Sequence, residues 1–346
     1  MKYLVIIYLF FISFLISCQE KTVETVFPDF KYGGDLLITD SIDIESLGIL
    51  NPIELYYRKN FLIFATNGSK SELQFLDLKS GKMFTKYLIG GGPDEVRMYN
   101  VVRTKKDSPK FNLVDPNTWK MIGFDLDSLR TDTLMRQRFI MSFPRAGAMA
   151  FNAYETDRYV YRNGIFSDGR YSCYDKQAGE VSFDLDYPSY EDLEPLDWAS
   201  RGMVFSSDKM VGHGRYLVSC IHGLLDFYEI GDGGKLSLIK NHYYYYPKFK
   251  YHPETGSTPT SSEEPERFCS IDSDEKGIYL LYSGKDYKTY KNEAFNCHYL
   301  MTYDWEGNPL KEYHLEKSLT QMTINGKILY GLNREGDPKV YIYELP

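Results

Sequence analysis

Cysteine is sparse, five in 346 residues, with no CxxC pair and no regular spacing. That argues against zinc ligation and dithiol redox chemistry. The six histidines (His213, His222, His242, His252, His298 and His314) are scattered, and neither HExxH nor GxSxG occurs. The common signatures of zinc proteases and serine hydrolases are therefore missing. Positive charge is also short: 40 Lys and Arg against 48 Asp and Glu leave a net charge of -8. Phosphate-backbone binding has no general electrostatic support, so nucleic acid is not an expected partner. No Pro/Gly/Ser linker divides the chain, and one large β domain accounts for its length.

Long apolar runs are confined to the start. Residues 1–17 (MKYLVIIYLFFISFLIS) carry Lys2, then an almost unbroken apolar run, then small or polar residues before Cys18. This is the layout of a secretory signal peptide. The run is short for a membrane span of roughly 20 residues and lacks a basic stop-transfer flank. Leu15-Ile16-Ser17-Cys18 resembles the lipobox of bacterial lipoproteins, in which the Cys is lipidated and becomes the first residue. Two or three acyl chains give stable attachment where one is marginal. The expected organisation is a signal peptide over 1–17, lipidated Cys18 with a polar leash over 18–30, and a folded domain over 31–346. The expected location is the cell envelope, at the outer membrane on its periplasmic side or at the cell surface.

What is abundant is aromatic: 16% of residues, 31 of them Tyr, in short alternating runs that favour half-buried strands. One phrase recurs, a strand ending in an aromatic or aliphatic residue plus an acid. Its copies are LQFLDL (73–78), KMIGFDL (120–126), RYSCYD (170–175), LLDFYEI (224–230), HYLMTYDW (298–305) and KVYIYEL (339–345). Each follows another β run, and before each pair lies a further run assigned as innermost: 53–58, 99–104, 148–153, 202–207, 268–273 and 319–325. Turns such as Lys79-Ser80-Gly81 supply the positive φ that tight hairpins need. Six copies predict an all-β, six-bladed β-propeller with four antiparallel strands per blade. The last phrase lacks its outermost strand, whereas 34–42 (GDLLITDSI) is a spare β run. Pairing the two closes the last blade with the N-terminal strand and removes exposed sheet edges. A five- or seven-bladed ring and a β-solenoid are the alternatives. Inside predicted strands, Cys173, Cys220, Cys269 and Cys297 read as small apolar core positions, although an exported chain can oxidise them.

The lipobox, the six phrases and Gly90-Gly91-Gly92-Pro93-Asp94-Glu95 together resemble the TolB-like six-bladed propeller lipoproteins of Gram-negative bacteria, in which a Gly-x-Gly-Pro-x-Glu phrase follows an early blade. The resemblance covers essentially all of the chain after the signal peptide. It implies fold and location, and brings no established activity.

Two connections are long, 243–266 between blades and 284–296 inside the fifth, and in a propeller both open on the same face. Long loops on a rigid scaffold are where binding tends to reside. Tyr287 and Tyr290 there either pack the loops down or form a stacking platform for sugar rings or an extended peptide, and Trp198, in the acidic connection 187–200, is a binding rather than a catalytic candidate. Arg97, Arg145, Arg201 and Arg267 each precede an innermost strand, and aligned blades bring them to the channel mouth. They suit a carboxylate or phosphate, or else pair with local acids such as Glu95. Gly90, Gly92 and Pro93 read as a structural turn; no Lys-Ser/Thr follows, so they form no nucleotide P-loop. His222 with Glu95 or Asp197 could serve as a base or metal ligand, or be merely solvated. No catalytic residue, metal ligand or cofactor is assigned. The expected function is a monomeric binding or scaffold module, held on the membrane by its lipid, for a protein or carbohydrate ligand. The alternative is a metal-dependent propeller hydrolase or lyase with its site at the channel mouth.

Overall fold

The computed structural model describes residues 27, 29–66, 72–87, 96, 98–131, 138–144, 149–190, 196–205, 209–221, 223–246, 248, 252, 254, 262–263, 268–334 and 337–346. The signal segment, Cys18, Gly90, Gly92, Pro93, Glu95, Arg97, Arg145, His222 and Arg267 lie outside them. After β1 (Lys31–Leu36) and β2 (Ile38–Asp43), the chain runs through antiparallel meanders. The first is β3 (Pro52–Arg58), β4 (Phe61–Thr66), β5 (Glu72–Asp77) and β6 (Met83–Tyr87). Next come β7 (Asn100–Arg103), β8 (Lys110–Asp115), β9 (Lys120–Asp125) and β10 (Arg138–Ser142), then β11 (Met149–Glu155), β12 (Tyr159–Ile165), β13 (Tyr171–Asp175) and β14 (Glu180–Asp184). Helix α1 (Trp198–Phe205) leads to β15 (Lys209–His213), β16 (Tyr216–Ile221), β17 (Leu224–Ile230) and β18 (Leu236–Tyr243). There follow β19 (Phe268–Ser273), β20 (Ile278–Tyr282), the short helix α2 (Tyr287–Tyr290), β21 (Cys297–Tyr303) and β22 (Pro309–Leu319). The chain ends with β23 (Gln321–Asn325), β24 (Ile328–Leu332) and β25 (Lys339–Glu344).

Among the described residues these strands form a five-stranded, an eight-stranded and three four-stranded sheets. The eight-stranded sheet is two meanders joined where β7 and β11 pair in parallel, Val102 opposite Ala153 and Arg103 opposite Tyr154. The architecture is an all-β propeller. The first strand of each meander is innermost: β11 lies beside β7 and β15, β19 beside β15 and β23, and β23 beside β3. Inner strands are covered on both faces, which is why FLIFAT in β4 is apolar without alternation and buried throughout. Apolar clusters fill the spaces between sheets, such as Ile63, Phe75, Phe111 and Ile122 between the first two meanders. Leu62 and Phe64 meet Leu332 and Val340 between the first meander and the last strands.

Where the acid that ends a phrase is Asp, it has a mechanical explanation. Asp77 Oδ1 accepts the Lys79 N–H at 3.1 Å, and Asp175 Oδ1 accepts the Gln177 and Ala178 N–H groups at 2.8 and 3.2 Å. These Asx turns start the hairpin, and Gly81 and Gly179 complete it at φ 69° and 72°. The buried Asp77 also binds Arg130 Nη2 at 2.9 Å. Arg130, with the turn donors, holds its carboxyl down at about 2. Because the folded-state value is depressed, the stabilisation is present above the ordinary carboxylate range and lost as pH falls from about 4 to 2. Its size is about 2 kcal/mol. Asp77→Asn is therefore expected to lower stability at pH 6 by about that amount and to flatten the acid limb, read from urea midpoints between pH 6 and pH 2.

Three features differ from the sequence expectation. First, the run 34–42 is divided. β1 adds to β22 in parallel, and only β2 pairs antiparallel with β25. Leu37 between them is 65% exposed, and at Gly33 a Cβ would stand 2.4 Å from the Tyr313 ring. Second, 202–207 is not the innermost strand of its meander: α1 ends there and β15 takes that place. Asp197 Oδ1 accepts the Ser200 N–H at 2.8 Å, an N-terminal cap that favours a helix. Third, packing begins ahead of residue 31, because Phe27 stacks on Tyr244 at 4.4 Å and Phe30 meets Tyr303 edge-on at 5.1 Å. Cys173, Cys220 and Cys297 are buried, Cys269 is half-buried, and none of these four is in a disulfide.

Candidate functional site at the channel mouth

The innermost strands β3, β7, β11, β15, β19 and β23 all end at one mouth of the central channel, around a cavity of about 430 Å³. Its charged groups come from strand ends and first turns: Arg58 closes β3, Arg103 closes β7, Lys106 follows in the next turn, and Asp272 lies near the end of β19. Asp272 is the electrostatic hub. Its Oδ2 accepts the Thr323 hydroxyl and the Ile324 N–H, each at 2.7 Å. Lys106 Nζ approaches the same oxygen at 2.6 Å, and Arg103 Nη1 lies 3.5 Å from Oδ1. Burial pushes the Asp272 carboxyl up, but Lys106, Arg103 and the hydrogen bonds outweigh it and leave it below its ordinary range. Burial likewise holds the Lys106 ammonium low, against the pull of Asp272.

Arg58 is the deepest cation, 3% exposed. Its Nη1 donates to the carbonyls of Thr104 and Lys105, while its Nε has no hydrogen-bond partner. Burial first, then the neighbouring Arg103 charge, lowers its pKa to about 10. The Arg103 guanidinium lies 4.6 Å over the Tyr56 ring, which fixes its plane. The Tyr56 hydroxyl donates to Glu54. Three cations thus surround one buried carboxylate. On the rim, Asp274 is engaged by the Lys276 and Gly277 N–H groups at 2.8 and 3.2 Å, and Asp107 and Glu275 are exposed.

This mouth is opposite the one favoured by the sequence. There, of the four expected arginines, only Arg201 is among the described residues. It sits in α1, and its Nε donates to the Leu196 carbonyl at 3.0 Å. Trp198 opens α1 and is 46% exposed. Tyr287 and Tyr290, 39% and 45% exposed, lie in α2, which Asp286 caps by accepting the Thr289 N–H at 2.8 Å. Lys291 stands 5.8 Å over Tyr287, and Lys285 5.6 Å over Tyr290. The Tyr243 to Tyr246 run is largely packed: the Tyr243 hydroxyl donates to Asp226 at 2.8 Å, and the Tyr244 and Tyr303 hydroxyls share a 2.6 Å bond. Among the described residues, no three His, Cys, Asp or Glu side chains gather as metal ligands. Sequence reasoning missed Arg58, Arg103 and Lys106 as a group. Their signal was a cation at or just past the end of two innermost strands.

A crystal structure of a member of the duf4221 family from Bacteroides vulgatus is similar at 11% identity, with a TM-score of 0.53 over 90% of this chain and 97% of that one. The Myceliophteria thermophila Cps50 (Swd1) β-propeller domain aligns at 10% identity and a TM-score of 0.49, covering 90% of this chain and 100% of that one. No curated protein matches the sequence. The family model described as "TolB-like 6-blade propeller-like" matches residues 89–327, more than half of the chain. With its meanders arranged round a channel, the chain belongs to the TolB-like 6-blade propeller-like family.

Proposed function

We propose that this chain is an envelope lipoprotein, anchored through Cys18, whose propeller is a non-catalytic binding module for a protein partner. In this reading the ring has six blades. The eight-stranded sheet counts as two, and β2 supplies the outermost strand of the last. Closure is supported by the β2–β25 ladder and by the apolar cluster joining β24 and β25 to β3–β5. The anchor rests on the apolar run and lipobox-like segment ahead of Cys18, and outer-membrane placement belongs to the same proposal.

The observation that carries the binding role is the set of exposed aromatic side chains, Tyr287 and Tyr290 on the capped helix α2 and Phe295 just after it, inside one blade. Aromatics that keep exposed faces on an ordered scaffold supply contact area at low entropic cost. The test is crosslinking in the native membrane with wild type and a Tyr287→Ala/Tyr290→Ala chain that melts at the same temperature. The double variant is expected to lose about tenfold or more of a specific protein adduct, the scale of two hot-spot residues. Undiminished crosslinking removes this surface from the reading. Retained protein crosslinking with loss of binding on a glycan array assigns the surface to carbohydrate instead.

A further inference from the structure

We infer that the channel mouth formed by Arg58, Arg103 and Lys106 is a binding site for a small oxyanion, a carboxylate or a phosphate group. The site is separate from α2, at the other end of the channel, and stands or falls independently of that surface.

Charge balance is the first argument. Within the inner mouth three cations face Asp272, and burying charge without compensation is costly. With the rim included the lining is balanced, Arg58, Arg103, Lys105 and Lys106 against Asp107, Asp272, Asp274 and Glu275, so the excess of cations is confined to the inner group. The second argument is unused hydrogen-bonding capacity. Arg58 lines the cavity and is nine-tenths buried and more, and its partnerless Nε is itself closed off from solvent, so the capacity open to a ligand is chiefly that of Arg103. The Arg103 contact to Asp272 is long at 3.5 Å, leaving its planar fork of donors unsaturated. An oxyanion accepts from such forks through two or three oxygens, which satisfies geometry and charge together.

The third argument is rigidity. The Arg103 plane is fixed by Tyr56, Arg58 by the Thr104 and Lys105 carbonyls, and Lys106 by Asp272 and the Ile324 carbonyl. Held donors lose little freedom when an anion arrives. At about 430 Å³ the cavity takes the anionic group and a few atoms of whatever bears it. The nearby Asp107, Asp274 and Glu275 stand on the rim and set a limit on how negative a bound molecule is beyond its anionic end.

The test is titration calorimetry of the full-length protein in detergent, with sodium phosphate and sodium succinate as separate probes at ionic strength fixed with chloride. One-to-one binding of phosphate alone assigns the site to phosphate groups, and of succinate alone to carboxylates. Binding of both supports a general oxyanion site. Arg103→Gln and Lys106→Met are each expected to weaken the bound anion by about tenfold or more, the scale of one charge-assisted hydrogen bond. Tyr287→Ala/Tyr290→Ala is expected to leave it unchanged. Should Arg103→Gln fail to fold, Lys106→Met decides, because Asp272 there keeps Arg103, Thr323 and the Ile324 N–H as partners. Absence of one-to-one binding by either probe, or equal affinity in wild type and Lys106→Met, overturns the inference.

Discussion

Replacing Asp226 with Ala is expected to destabilise the protein by about 3–5 kcal/mol, the range for removing one partner of a buried ion pair. Arg170 Nη1 and Asp226 Oδ2 are 2.6 Å apart, and their side chains are 3% and 1% exposed. Removing Asp226 strands a guanidinium lying 5.0 and 5.1 Å from the Tyr171 and Phe205 rings. It also takes the acceptor from the Tyr243 hydroxyl. The pair therefore ties β13, β17, β18 and the end of α1 together, linking the core of two meanders to the helix that leads into β15. Urea unfolding of wild type and variant measures the difference. An apolar double replacement, Arg170→Met with Asp226→Leu, is expected to be milder than the single one, since no charge is stranded. A single-variant loss below about 1 kcal/mol would mean that water reaches the pair.

Deleting residues 27–43 is expected to have a still larger effect: loss of the cooperative melt and soluble aggregation. The deletion removes Phe27, Phe30 and Leu36, all buried, each contributing about 1.5–3 kcal/mol. Their sum, about 5–9 kcal/mol, rivals the whole stability of a typical domain. It also uncovers β22, which β1 covers, and β25, which β2 covers, as unpaired edges open to other chains. Size-exclusion chromatography and a thermal melt read both consequences. A monomer melting cooperatively near the wild-type temperature would show that the N-terminal strands are dispensable.

Most strands were legible because the signal is local and repeated. LLDFYEI over 224–230 coincides with β17, and the run 268–273 coincides with β19. Asp77, Asp125 and Asp175 each accept an N–H two residues on, an Asx turn that needs no tertiary information to form; Glu229 and Glu344 take that place in two other phrases. What was not legible depends on contacts distant in sequence. The stretch after Asp197 is short and apolar enough for either period, and the cap on Ser200 settles it as helix. Nothing in 31–36 indicates that β1 lies parallel to β22, because its partner strand stands near the far end of the chain. The cation cluster was hidden for the same reason. Arg58 and Arg103 belonged to expected inner strands, but their convergence appears only when strand ends from different meanders meet around one mouth. Asp272 is 166 residues from Lys106 and 51 from Thr323. The arginines that the sequence did align, Arg97, Arg145 and Arg267, fall outside the described residues.

An experimental structure of the full-length protein at side-chain resolution tests the ring directly. It is predicted to show six blades, five of four strands and one that β1 extends to five, with β2 hydrogen-bonded to β25 and with Arg58, Arg103 and Lys106 round a single opening. A different number of blades, or an N-terminal segment lying apart from β25, would contradict it.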